Sequence, residues 1–135
     1  MTPVPAYAVA WLRNVELHDG KPCDDIIRYM REIDDTMTPF GGEFLIHGGE
    51  IDVREGNWGD GALVVIRFPD LESATQWYDS DGYRRILPLR TGHADSDTAL
   101  VRGVAAGHTG AKRAAELLEE AALCCEPDPG NLGRT

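Results

Sequence analysis

The chain has 135 residues, 42% hydrophobic and 27% charged, a size and composition that suit one folded core and exclude wholesale disorder. A formal net charge of -10, with no stripe of Lys or Arg to offset it, argues against nucleic acid and anionic membranes as partners, because both present negative charge. Cys23, Cys124 and Cys125 make neither a C-x-x-C pair nor a spaced ligand framework, and Met1 to Pro5 lacks a basic-then-apolar leader, so a reducing cytoplasm is the expected location, with no metal site and no cofactor.

Along the chain, apolar residues run without helical spacing from Ala6 to Val15, predicting a first strand that the turn cluster His18-Asp19-Gly20-Lys21-Pro22 ends. Asp24 or Asp25 is a cap for a helix whose buried face carries Ile26, Tyr29/Met30, Ile33 and Met37. Pro39 and Gly41-Gly42 stop it. Phe44 to His47 reads as a short strand, Gly48-Gly49 as a bend or bulge before Ile51 to Arg54, and residues 56–61 as a loop. The run Ala62 to Phe68 is rich in β-branched residues and predicts a strand. Asp70 caps a second helix with Leu71, Ala74, Trp77 and Tyr78 on its buried face; a shorter helical piece around Tyr83 to Leu87 ends before Pro88. Thr98 to Val104 supplies the last strand, after a polar connection over Thr91 to Asp97. The helix expected over about 111–125 and the polar tail beyond it belong to a C-terminal extension, 105–135, outside the domain of residues 1–104.

Strand, helix, strand, strand, helix, strand is the ferredoxin-like βαββαβ order, an α+β fold in which two helices cover one face of an antiparallel sheet. Both alternating sets of the strong strands are apolar, Val64, Ile66 and Phe68 on one side and Leu63 and Val65 on the other, so the second face also needs cover. A second copy of the chain provides it most economically, giving a dimeric α/β barrel.

The segments Pro39-Phe40-Gly41-Gly42-Glu43-Phe44-Leu45, Gly48-Gly49-Glu50, Leu63 to Pro69, Trp77-Tyr78-Asp79-Ser80, Pro88-Leu89-Arg90 and Asp95-Ser96-Asp97 together resemble the bacterial family called domain of unknown function 1330, over about the first three quarters of the chain. The resemblance implies the dimeric α/β-barrel fold and no settled activity. Its wider superfamily includes cofactor-free monooxygenases, isomerases, polyketide cyclases and haem-binding enzymes, among which fold alone does not choose.

Strand parity puts Trp11 and Arg13, Leu45 and His47, Arg67 and Arg102 on the face away from the helices. Arginine there supplies fixed charge for an anionic or enolic ligand, and histidine moves a proton near neutral pH. The same residues would equally serve a packed dimer interface and ion pairs. A second polar group, Arg90, His93, Asp95, Ser96 and Asp97, crowds the connection before the last strand. Here His93 with Asp95 makes a base and its orienting group, and Arg90 an anion stabiliser. His93-x-Asp95 also has metal-ligand spacing but lacks further ligands nearby in sequence. Tyr83 forms a pocket wall, and Trp58, in a glycine-rich loop, a lid or an anchor.

The expectation is therefore a homodimeric small-molecule enzyme of the cofactor-independent oxygenase, isomerase or cyclase type. Proton transfer on an enolisable or aromatic substrate would use His47 or His93, Asp95 and Arg90, with Trp11, Arg13, Arg67, Tyr83 and Trp58 binding the ligand. The alternative is a non-catalytic dimeric protein that holds a metabolite in the same cleft.

Overall fold

The first strand, β1 (Ala6–Arg13), carries alanine at positions 6, 8 and 10 on one face and Tyr7, Val9 and Trp11 on the other. Small side chains let helices approach a sheet closely, and in the computed structural model, which describes residues 4–124, Ala6 and Ala8 are buried beneath the helices. Asn14, with a φ of 52°, ends the strand. A short hairpin follows, β2 (Leu17–His18) and β3 (Lys21–Pro22), turning on Asp19 and Gly20. Both turn residues have positive φ, as a two-residue turn that matches strand twist requires.

Helix α1 (Asp24–Met37) begins one residue earlier than the aspartate cap predicted, with Cys23 at the N-cap. Asp24 and Asp25 fall in its first turn, where negative charge meets the positive end of the helix dipole. Ile26, Ile33 and Met37 are buried as their spacing required. Strand β4 (Glu43–His47) lies at the sheet edge; residues 49–60 form no strand, so the expected extended piece Ile51 to Arg54 is irregular chain. Gly48, at a φ of 71°, turns the backbone out of the ladder after His47.

β5 (Ala62–Phe68) is the predicted strong strand. α2 (Leu71–Asp79) is capped by Asp70, whose carboxylate accepts from the Ser73 N–H at 2.7 Å. Ser80 then caps α3 (Asp81–Thr91) by accepting from the Tyr83 N–H. This last helix passes through Pro88 instead of ending before it. Pro88 forfeits one backbone bond, while the continued helix buries Ile86 and Arg90 on the face that carries Tyr83. The final strand, β6 (Asp95–Arg102), starts three residues before the sequence reading, which places Asp95, Ser96 and Asp97 within the sheet and not in a loop.

The four main strands lie in the order β4-β5-β1-β6, every neighbour antiparallel, which is the ferredoxin-like arrangement. α1, α2 and α3 cover the face that holds Ala6, Ala8, Ile66 and Phe68, and the core between sheet and helices is completed by Trp77 and Tyr83. The Trp77 indole N–H donates to Thr36 Oγ1 at 3.0 Å, joining α2 to α1. The chain forms two compact units, Met1–Val104 and Ala105–Thr135. The second contains α4 (Gly110–Cys124), along which Arg113 pairs with Glu116 and Glu120. The predicted helix end at Cys125 and the polar tail lie outside the described residues. Among those residues no helix is long and apolar enough to cross a membrane.

Candidate active site

Between the sheet and the helices lies a cavity of about 270 Å³, walled by Ala8, Ala10 and Leu12 of β1, Val64 and Ile66 of β5, and Ile26 and Ile33 of α1. It exists because alanines occupy the middle of β1, where larger side chains would fill the space. Its polar lining is sparse: Tyr29, Tyr83, Arg90, Thr98 and His47.

Arg90 is 4% exposed, the one charged residue buried among the described residues, and no carboxylate lies within salt-bridge distance of it there. Its Nη1 donates to Ser96 Oγ, its Nη2 to the Tyr83 hydroxyl at 3.4 Å, and its guanidinium lies 5.7 Å from the centre of the Tyr29 ring. Burial opposes its charge, but the facing Tyr83 and Tyr29 oxygens more than compensate, so its pKa stands above the ordinary arginine value. Tyr29 and Tyr83 share a hydrogen bond of 2.6 Å between their hydroxyls. Burial, reinforced by Tyr83, holds the Tyr29 pKa far above the usual phenol value, so Tyr29 is neutral. Two hydroxyls have two hydrogens, and the bond between them uses one. The other finds no protein acceptor among the described residues, leaving an O–H beside a buried cation.

His47 also lines this cavity, and here the parity argument fails. Glu43 pairs with Arg67 and Phe44 with Ile66, but a bulge at Leu45 then sets Ile46 opposite Val65 and His47 opposite Val64. Leu45 is the extra residue, so His47 moves to the helix side, where its ring stacks on Phe44 with centroids 4.2 Å apart. Arg102 pairs with Ala6 and thus also has helix-side parity, contrary to expectation.

Trp11, Arg13 and Arg67 do stand on the outer face, apart from Arg90 and Tyr83. Arg13 pairs with Asp97 at 2.8 Å and Arg67 with Glu43 at 3.6 Å, at opposite ends of an apolar strip that includes Val9, Trp11 and Val65. Trp58 meets Trp11 edge-on at 6.0 Å and lines a shallower cavity with Leu63, Ile46 and His47.

His93 and Asp95 are not partners. Asp95 pairs with Arg13 across the ladder and accepts from Asn14 Nδ2 at 2.9 Å, because β6 already begins there. The carboxylate on His93 is that of Asp25, 2.9 Å from Nε2, with Glu16 3.4 Å from Nδ1. The Glu16 carboxylate beside Nδ1, aided by Asp25 on Nε2, outweighs burial and raises the His93 pKa above its ordinary value.

The sequence reading missed Tyr29 as a functional group, having assigned it to packing. One signal was available: Tyr83 and Arg90 are seven residues apart and share a helix face when the helix continues through Pro88.

The model of the family described as domain of unknown function (DUF1330) matches residues 5–104. No curated protein matches the chain. Among solved structures, a protein of unknown function from Rhodopseudomonas palustris superposes with a TM-score of 0.56 at 14% identity, covering 76% of this chain and 84% of that one. The methylated form of the same protein gives 0.57 at 16% identity, covering 78% and 85%. A variant of SnoaB, a cofactor-independent oxygenase from Streptomyces nogalater, gives 0.50 at 12% identity, covering 78% and 96%. At these identities the likeness is one of fold.

Proposed function

The chain belongs to the DUF1330 family, and we propose that it is a small-molecule enzyme whose cavity binds an enolisable or aromatic substrate with its developing oxyanion on Arg90. The observation that carries this reading is a buried guanidinium with no carboxylate partner among the described residues, facing an apolar cavity. A desolvated charge is costly unless something repays it. Ser96, Tyr83 and Tyr29 hold it here with neutral groups; an anionic ligand atom supplies the counter-charge they lack, and the spare phenolic hydrogen of the Tyr29–Tyr83 pair adds a second donor to the same region. His47, at the cavity wall, is the group available to take or return a proton. These parts suit oxygenase, isomerase or cyclase chemistry that proceeds through an enolate or phenolate.

The outer sheet face supports a homodimer. Val9, Trp11 and Val65 form an apolar strip there, with Ile46 and Val101 40% and 47% exposed. Ion pairs at the ends of that strip suit a polar rim around an apolar centre.

A non-catalytic metabolite-binding role is favoured by one observation: among the described residues His47 is held by ring stacking alone, with no hydrogen-bonded group orienting it. The two readings are separated by incubating the protein with enolisable ketones and phenols while following dioxygen uptake and product mass. Turnover that disappears in Arg90→Met supports the enzyme. Ligands recovered unchanged, with binding still dependent on Arg90, support the binding protein. Ligand affinity indifferent to Arg90→Met would overturn both.

A further inference from the structure

A second cluster of reactive side chains forms where the β2–β3 hairpin closes. The hairpin brings its flanking residues together, and the Cys23 N–H donates to the Glu16 carbonyl at 2.9 Å. The Glu16 N–H donates in turn to the His93 carbonyl at 2.8 Å. Three segments of backbone are thereby tied, and a carboxylate oxygen of Glu16, Sγ of Cys23 and a ring nitrogen of His93 all lie within 4.8 Å of one another.

The contacts of the His93 ring define what that group of atoms lacks. Nε2 is 2.9 Å from an oxygen of Asp25, and an ionised carboxylate only accepts, so Nε2 carries hydrogen. Nδ1 is buried without a hydrogen bond among the described residues and faces Glu16 Oε2 at 3.4 Å. In the neutral ring these are two lone pairs pointed at each other, an arrangement that a cation between them relieves. Tetrahedral zinc, with bonds to nitrogen and oxygen of roughly 2.0–2.2 Å, would hold those two atoms about 3.4 Å apart. The Asp25 contact is also the outer hydrogen bond that metal-bound histidines usually make.

We propose that Glu16, Cys23 and His93 bind a zinc ion, with Asp25 orienting His93 and a fourth position open to water or another ligand. Thiolate and imidazole are softer donors than the oxygen sets that take magnesium or calcium, which directs the choice to zinc. Cys23 sits at the N-cap of α1 without a side-chain capping bond, so among the described residues its sulfur is not committed to the helix end. His18 Nε2 lies 3.1 Å from the same Glu16 oxygen and is available as a further donor. The competing account is an imidazolium clamped between Glu16 and Asp25, which takes up no metal. The zinc site is independent of the Arg90 cavity reading.

The test uses the full chain carrying Cys124→Ser and Cys125→Ser, so that Cys23 is its sole thiol. Zinc titration against a chromophoric chelator is expected to show one equivalent bound. Cobalt(II) is expected to give a thiolate-to-metal charge-transfer band and the intense visible bands of four-coordination. Cys23→Ser should abolish the charge-transfer band, and Asp25→Asn should weaken zinc about 10–100-fold while keeping the band. Glu16→Gln alters a half-exposed side chain and serves as the second variant should Cys23→Ser fail to fold; it should also weaken zinc. No zinc uptake, a charge-transfer band that survives Cys23→Ser, or a zinc affinity indifferent to Glu16→Gln would overturn the site.

Discussion

Replacing Arg90 by methionine is expected to separate ligand binding from stability. In the native fold the guanidinium gains two charged hydrogen bonds, to Ser96 and Tyr83, and a contact with the Tyr29 ring. At about 1.5–3 kcal/mol per charged hydrogen bond and about 1–2 kcal/mol for the ring contact, the gain is roughly 4–8 kcal/mol. The effective penalty for taking the ion out of water is also several kcal/mol. Methionine is unbranched and similar in length, and removing the ion leaves Tyr83 still bonded to Tyr29, so unfolding free energy should change by no more than about 1 kcal/mol. For a domain of this size that is a Tm shift of at most about 8 °C. Binding should respond far more. A ligand oxyanion losing a charge-assisted bond of about 3 kcal/mol loses roughly a hundredfold in Kd. Calorimetric unfolding and titration with an enolate- or phenolate-forming ligand measure both quantities on the same samples. A stability loss of about 3–5 kcal/mol, the cost of breaking a buried ion pair, with ligand affinity unchanged would refute the reasoning and make Arg90 a structural residue.

His47→Gln should lower kcat by about 10²–10⁴-fold, the usual contribution of general acid–base catalysis, with Kd changed only a few-fold; equal losses in both would assign His47 to binding. Val65→Asp places a charge beside Val9 in the middle of the outer sheet face and should leave a folded monomer by light scattering; a persistent dimer would locate the pairing on another surface. Gly42→Ala would put a methyl 2.8 Å from the Phe68 ring and 3.0 Å from Met37 Cβ, and neither buried neighbour can yield freely. An overpacking cost of about 1–3 kcal/mol is expected, and an unchanged Tm would contradict the packing described. The Asp70 carboxylate is held below its ordinary 3.8 by the Ser73 N–H, so its contribution to stability is present above 3.8 and is lost as pH falls through the lower folded value. Asp70→Asn keeps the acceptor without the titration and should flatten the acid limb of the stability profile; an unchanged limb would assign acid sensitivity to other carboxylates.

The sheet was legible because its signals are long and redundant. Val64, Val65, Ile66 and Phe68 repeat the same preference within seven residues, and the buried positions of α1 recur over four turns, so one deviant residue changes little. The elements that place the chemistry rest on single residues. Leu45 adds one residue to an edge strand at little energetic cost, and alternation with a period of two then carries His47 to the other side of the sheet. Pro88 reads as a helix stop because its own backbone bond is lost, yet burial of Ile86 and Arg90 keeps the helix going. The pairing of Tyr29 with Tyr83 spans 54 positions between two helices, and no local pattern specifies it.

The hairpin is the instructive case, since its chemistry was within reach of the sequence. Asp19-Gly20 is a strong two-residue turn signal, and reading it as a hairpin pairs Leu17 with Pro22. The next residues out are then Glu16 and Cys23, which must be neighbours. Read only as the end of a strand, the same cluster leaves Cys23 an isolated thiol and makes Asp95, two residues along the chain, the apparent partner of His93. In the fold, β6 turns Asp95 outward toward Arg13 and Asn14, while the start of α1 presents Asp25 to the ring. Side chains that act together here are joined by backbone hydrogen bonds between turns and helix ends, so proximity in sequence is the weaker guide and strand pairing the better one.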